Sequence, residues 1–190
     1  MAIKELGIDV TQVDDTPQHE LGAEVLEIRG GAGTLTRTYN TNGIGIIGTS
    51  ETTRYDANKR YRYVRADAAI AQYDCVAKKL GETDDPYAYV KTADATAFGE
   101  AIAEVAIAQD KYGWITVHGF VLTANVADAV VAGEFVAPSA TAGRLDAFTF
   151  TTTAATLAQL LAGFKASVAG IQAITDGNAS NQASVFIHGS

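Results

Sequence analysis

At 190 residues, the chain has room for one domain, or for one domain with an extended arm. Hydrophobic residues make up 47% and charged residues 19%, and the abundance of Ala, Thr, Gly and Val suits packed β layers better than long helices. A net charge of −8 argues against nucleic acid and anionic membranes as partners, because affinity for either rests on Lys and Arg.

Residues 1–20 show no sustained period and read as an extended N-terminal arm, with Asp14-Asp15 and Thr16-Pro17 as turn signals. Ile3, Leu6, Ile8 and Val10 are its apolar anchors and are candidate contacts with a neighbouring subunit or larger partner. Residues 21–190 read as a single β-rich domain. Leu21 to Ile28 alternates enough for a first strand, and 30–58 is a Gly/Thr-rich loop or projecting hairpin. Lys59 to Arg65 interleaves cations with aromatics. An amphipathic strand fits better than a single-strand nucleic-acid surface, with Tyr61, Tyr63 and Arg65 on one face and Arg62 and Val64 on the other. Asp74–Lys78 and Tyr87–Lys91 are short strands either side of Pro86. Residues 92–101 are ambiguous, and Glu104–Ala108 is predicted as a strand. A turn at Asp110-Lys111-Tyr112-Gly113 leads into Trp114–His118, which Gly119 interrupts before Phe120–Thr123. Glu134–Ala137, Leu145–Thr151, Lys165–Ala173 and Val185–His188 complete the strands, and Ala154–Ala162 is predicted as one short helix capped by Gly163. The fold class is therefore mostly β: a β-barrel, β-sandwich or β-clip-like domain with an extended N-terminal arm and one short helix.

An internal echo links Ala69-Ile70-Ala71-Gln72-Tyr73-Asp74-Cys75-Val76-Ala77 to Ala129-Val130-Val131-Ala132-Gly133-Glu134-Phe135-Val136-Ala137. Each has a small apolar lead, an acidic residue and a returning Val-Ala. It reads as one device used twice: a strand, a tight bend around the acidic residue, and a returning strand.

The chemical motifs are weak. Gly43-Ile44-Gly45-Ile46-Ile47-Gly48 matches a dinucleotide fingerprint in letters only, since no helix former follows it to receive a pyrophosphate. His19, His118 and His188 lack metal-ligand spacing, and Asp14-Asp15 and Asp84-Asp85 fit turns better than an acid/base pair. Cys75 is alone and sits in an apolar stretch, so a buried small hydrophobe is the expectation. Asn178-Ala179-Ser180 is a sequon by pattern only. No catalytic, cofactor-binding or metal-binding residues are expected. The N-terminus lacks a signal peptide's apolar region and no apolar run reaches a membrane span, so synthesis in a reducing cytoplasm is expected. Tyr61, Tyr63, Tyr87, Tyr89 and Trp114 fall on predicted strands, where core is the commoner fate of such aromatics. Tyr61 and Tyr63 are retained as candidate subunit or partner contacts.

Three stretches carry a resemblance: Tyr61-Arg62-Tyr63-Val64-Arg65-Ala66 with Ala69 to Val76; Tyr112-Gly113-Trp114-Ile115-Thr116-Val117-His118-Gly119; and Ala132 to Leu145. The ending Ala183-Ser184-Val185-Phe186-Ile187 fits with them. Their order resembles the capsid decoration, or cement, proteins of tailed phages, over roughly residues 60–145 and the extreme C-terminus. The resemblance implies a non-enzymatic virion protein on the outer capsid surface, with the major capsid protein and further copies of itself, as a homotrimer, for partners. It implies no cofactor, no nucleic acid and no membrane. A head-fibre, tail or receptor-binding component is the alternative, favoured if residues 30–58 project outward.

Overall fold

The computed structural model describes residues 8–27, 37–39, 45–47, 59–81, 85–92, 99–127, 130–147 and 170–188. Among them lie twelve strands: β1 (Glu24–Glu27), β2 (Arg37–Tyr39), β3 (Gly45–Ile47), β4 (Lys59–Ala66), β5 (Cys75–Lys78), β6 (Ala88–Lys91), β7 (Ala101–Ile102), β8 (Tyr112–Asn125), β9 (Val136–Pro138), β10 (Leu145–Ala147), β11 (Ile171–Ala173) and β12 (Gln182–Ile187). Eight form one sheet in the order β1-β4-β6-β5-β7-β8-β12-β11, with β4 also pairing β8. Two-stranded ribbons β10-β9 and β2-β3 stand beside it. The fold is β-rich, and the sheet does not close into a barrel. The predicted helix at 154–162 lies outside the described residues, as do Ile3, Leu6 and most of the 30–58 segment.

The chain contains the same unit twice, residues 59–118 and 119–188, joined through β8. In the first unit Ala66 pairs in parallel with Tyr89; in the second Val126 pairs in parallel with Leu145. Val76 opposite Lys91 corresponds to Val136 opposite Ala147. Cys75 opposite Ile102 corresponds to Phe135 opposite Gln172, and Ile102 opposite Thr116 to Gln172 opposite Phe186. The single strand β8, 14 residues long, ends the first unit and begins the second: its first half pairs β4 and its second half pairs β12.

The echo in the sequence is the bend of this unit. The Asp74 carboxylate accepts from the Ala71 N–H at 2.9 Å, and the Glu134 carboxylate accepts from the Val131 N–H at 2.9 Å. Tyr73 and Gly133, one residue earlier, both take left-handed backbone, at φ 72° and 92°. The main-chain bonds repeat as well. Tyr73 N–H donates to Ala103 O and Gly133 N–H to Ala173 O, and the return bonds run from Ala103 to Asp74 and from Ala173 to Glu134. The acidic side chain closes the turn by capping a free N–H, as Asx-type turns do.

Each unit has its own apolar cluster at matching positions. Ala66, Ile70, Val76 and Tyr89 fill the first; Val126, Val130, Val136 and Leu145 fill the second. Cys75 and Ile102 are the exception. They belong by chain position to the first unit but pack into the second unit's cluster, forming the seam.

Three local expectations are corrected. Glu104–Ala108 is not a strand: only Ile107 makes a ladder contact, an isolated bridge to Ile70, while the regular strand lies earlier at β7. Glu104 instead turns its carboxylate to the Lys59 ammonium and the Thr116 hydroxyl. The turn predicted at 110–113 falls one step earlier, with left-handed Asp110 (φ 61°), so that Tyr112 already belongs to β8. Gly119 does not interrupt the strand; at φ 104° it adopts backbone that a side chain would resist, and β8 runs through it.

Candidate interaction surface

Of the residues chosen from sequence as partner contacts, the four that the structure describes lie mostly inside the chain. Val10, Tyr61 and Tyr63 are buried with Trp114 in a third cluster, against which Ile8, Leu21, Ala23, Val25 and Tyr112 pack. The Tyr63 hydroxyl donates to Asp14 Oδ2 at 2.7 Å and accepts from the Gln18 N–H at 3.2 Å. Burial, reinforced by the Asp14 carboxylate, pushes this phenol up to about 12. His19 meets the Tyr63 ring edge-on at 5.1 Å and lies 5.2 Å from Trp114. Residues 8–20 are therefore seated on their own sheet rather than free as an arm. Asp14 and Tyr112 form an antiparallel bridge with N–H···O bonds of 2.8 and 3.0 Å. The aromatic face of β4 and β8 needed a cover, and this segment supplies it. Val10, Tyr61 and Tyr63 thus present no free side-chain surface, and Ile8 only part of one.

The cations of the 59–65 stretch are held by carboxylates. Arg62 binds Glu24 Oε1 through Nε and Nη2 at 2.9 and 2.6 Å and donates to the Tyr89 hydroxyl at 2.9 Å. Arg65 reaches Asp85, Asp67 and Asp110 at 2.6, 3.2 and 3.1 Å. Lys59, almost fully buried, lies 2.9 Å from both Glu104 oxygens. The stretch is a strand, as read, but not an amphipathic one: Tyr61 and Tyr63 are buried on one face and Val64 and Ala66 on the other.

Groups with potential chemistry are dispersed. Cys75 is fully buried, and desolvation pushes its thiol up to about 12, far from a reactive thiolate. His118 Nδ1 lies 2.8 Å from the His188 carbonyl. Gly45–Ile47 of the Gly-rich motif is strand β3, paired with β2, so these residues do not open a helix. Among the described residues, no three His, Cys, Asp or Glu side chains are grouped to hold a metal, and no helix is long and apolar enough to cross a membrane. A shallow cavity of about 140 Å³ on the second unit is lined by Leu122, Thr123, Asp176, Gln182 and Ser184 among others. That is small beside the ~300–1,000 Å³ of typical ligand pockets.

What the sequence reading missed is a set of exposed apolar side chains at the two ends of the duplicated framework. Leu80 is 91% exposed beside Gly81 in the hairpin between β5 and β6. Val131 and Phe135, 52% and 46% exposed, flank the Glu134 bend. The legible signal for the first was a Leu-Gly pair at a hairpin tip; for the others it was the echo itself, which puts Phe where the first unit has Cys.

No family model matches the chain, and no curated protein does. A solved structure described as the crystal structure of head fiber gp8.5 N base in bacteriophage phi29 is similar over 67% of this chain and 92% of that one, with a TM-score of 0.43 and 10% identity.

Proposed function

We propose that the chain is a non-enzymatic structural component of a tailed-phage head, binding the outer surface of the assembled capsid and stabilising it. The observation that supports this reading most is where the resembling stretches fall. Residues 61–76, 112–119 and 132–145 form β4 with the first bend, the start of β8, and the second bend with β9 and its turn into β10. They are the framework of the duplicated unit, not scattered loops. A β scaffold of this kind presents main-chain edges and surface loops to other protein, and many equivalent sites on a shell supply avidity without strong single contacts. The major capsid protein and further copies of the chain are the partners in this reading.

The test adds the purified chain to DNA-free expanded heads of the phage that encodes it and measures occupancy across a salt series. Binding is expected to persist after nuclease treatment and at moderate salt, and to raise the temperature at which heads fail. Failure to bind empty heads, or a steep log-log salt slope of the kind counterion release produces, overturns the reading. Density only at a vertex or on the tail would favour the head-fibre or tail alternative.

A further inference from the structure

The outer aromatic face of the first unit has a counterpart in the second. Val64 opposite Gly113 corresponds to Ala124 opposite Ala183, so the neighbouring Tyr63 and Trp114 correspond to Thr123 and Ser184. The cover repeats as well. In the first unit Asp14 N–H donates to Tyr112 O at 2.8 Å and Tyr112 N–H to Asp14 O at 3.0 Å. In the second, Gln182 takes the place of Tyr112. Asn178 N–H donates to Gln182 O at 2.9 Å, and Gln182 N–H donates to Asn178 Oδ1 at 3.1 Å. The loop 174–181 thus lies over the second unit as residues 8–20 lie over the first.

The two covers differ in what they enclose. Under the first, the rings of Tyr63, Trp114 and His19 pack together. Under the second, Thr123 and Ser184 supply no ring, and the cavity of about 140 Å³ opens there between loop and sheet. A bulge between Ala183 and Val185 accompanies the change, and Leu122, 68% exposed, stands at the rim.

The walls define the chemistry of a ligand. They carry one carboxylate, Asp176, and no cation, which argues against an anion. They do not group three ligating side chains for a metal. Leu122 and Ala183 are the only apolar residues in the lining, too few to hold a lipid or an aromatic ring. Among the described residues, the Thr123 hydroxyl, the Gln182 side-chain amide, Asn178 Nδ2 and Asp176 Oδ2 have no hydrogen-bond partner. Donors and acceptors so mixed match a small neutral ring that carries several hydroxyls. The volume has room for one such ring and not for a drug-sized ligand.

We infer that this cavity binds a single pyranose sugar. The ring takes the place that Tyr63 and Trp114 hold in the first unit, with its hydroxyls on Thr123, Asp176, Asn178 and Gln182 and one C–H face towards Leu122. The site stands whether or not the chain sits on a capsid.

The experiment titrates the full chain with D-glucose, D-galactose and N-acetyl-D-glucosamine, and with phenol as an aromatic ring, reading binding by saturation-transfer NMR. At least one sugar should bind at about millimolar affinity, the range open to so small a polar ligand, and phenol should not. Gln182→Ala removes a side chain with no partner in the fold and should weaken binding at least about threefold, as loss of one hydrogen bond does. Thr123→Tyr returns the first unit's ring to the cavity and should abolish binding. Circular dichroism checks that each variant keeps the wild-type fold. Absence of binding by all three sugars up to about 50 mM overturns the inference. So does sugar binding that the folded variants retain, or binding of phenol in place of the sugars. A chain that binds sugar but not empty heads overturns the proposed function alone.

Discussion

The two units share a backbone and differ in what that backbone faces. In the first, the residue after the bend acid is Cys75, small and enclosed by the second unit; in the second it is Phe135, large and half in solvent. Asp74 is buried and accepts from both the Ala71 N–H and the Asn125 amide, whereas Glu134, partly exposed, accepts only from the Val131 N–H among the described residues. The first unit is also covered by residues 8–25 on its aromatic face. One local solution to a chain reversal thus serves as a structural seam in one setting and as a surface in the other. Burial, rather than backbone geometry, decides how costly a change at that bend will be.

Substitutions at the bends and seam should separate the two settings. The largest difference is expected for glycine. A Cβ on Gly143 would lie 2.5 Å from Asp74 Cγ, and the residue sits at φ 80°. Gly143→Ala should therefore cost about 3 kcal/mol, from left-handed strain plus overpacking. Gly133→Ala faces open space at φ 92°, and Tyr73 already places a side chain at the equivalent position. Its cost should stay near ~1 kcal/mol. Urea denaturation of both variants checks this, and equal losses would mean the seam is not packed as described.

Next comes the acid itself. Asp74→Ala removes the buried carboxylate that accepts from the Ala71 N–H and the Asn125 amide and should cost about 2–3 kcal/mol, against roughly 0.5–1 kcal/mol for Glu134→Ala. Thermal melts of the pair measure the ratio; a larger loss at Glu134 would reverse the assignment of seam and surface.

The last effect appears only in alkali. The Cys75 thiol is held neutral by burial, its folded value of about 12 standing above its ordinary value of 9.0. The folded state therefore keeps a proton that the unfolded state releases. This contribution is complete below pH 9 and is lost as pH rises from there towards 12. By pH 10.5 the loss should amount to about 2 kcal/mol. Tyr63, raised from 10.0 to about 12, adds a similar loss starting one pH unit later. Unfolding free energies between pH 8 and 11 should fall less steeply for Cys75→Ala than for wild type. The exposed second bend, with Phe135 at this position, has no such group.

The sequence made some of this visible and hid the rest for physical reasons. β4 and the Trp114–His118 core of β8 were legible because β-branched and aromatic residues fit a pleated, buried surface. The duplication was legible only at its bend, where Asp and Glu perform the same capping task. Elsewhere the units share backbone pairing and not side chains, so Tyr89 and Leu145, Ile102 and Gln172, or Cys75 and Phe135, hold the same place without sharing chemistry. Residues 8–20 gave no period because they lie across the sheet through isolated bridge residues, Ile8 and Asp14, instead of forming a strand. Glu104–Ala108 misled because an apolar run was counted as a strand, although Glu104 turns its carboxylate to Lys59 and Thr116 and only Ile107 makes a bridge. The candidate surface at Leu80 and Phe135 could not be read from composition, since exposure of an apolar side chain is a property of the fold.

The continuity of β8 has a mechanical meaning. Fourteen residues at roughly 3.3 Å each make a strand about 45 Å long. Its first half is held by β4 and its second by β12. Each unit takes half of one continuous strand, with no loop between them to give slack. Tension along β8 therefore passes directly from the β4 ladder to the β12 ladder, and a pull on either unit is felt at once by the other.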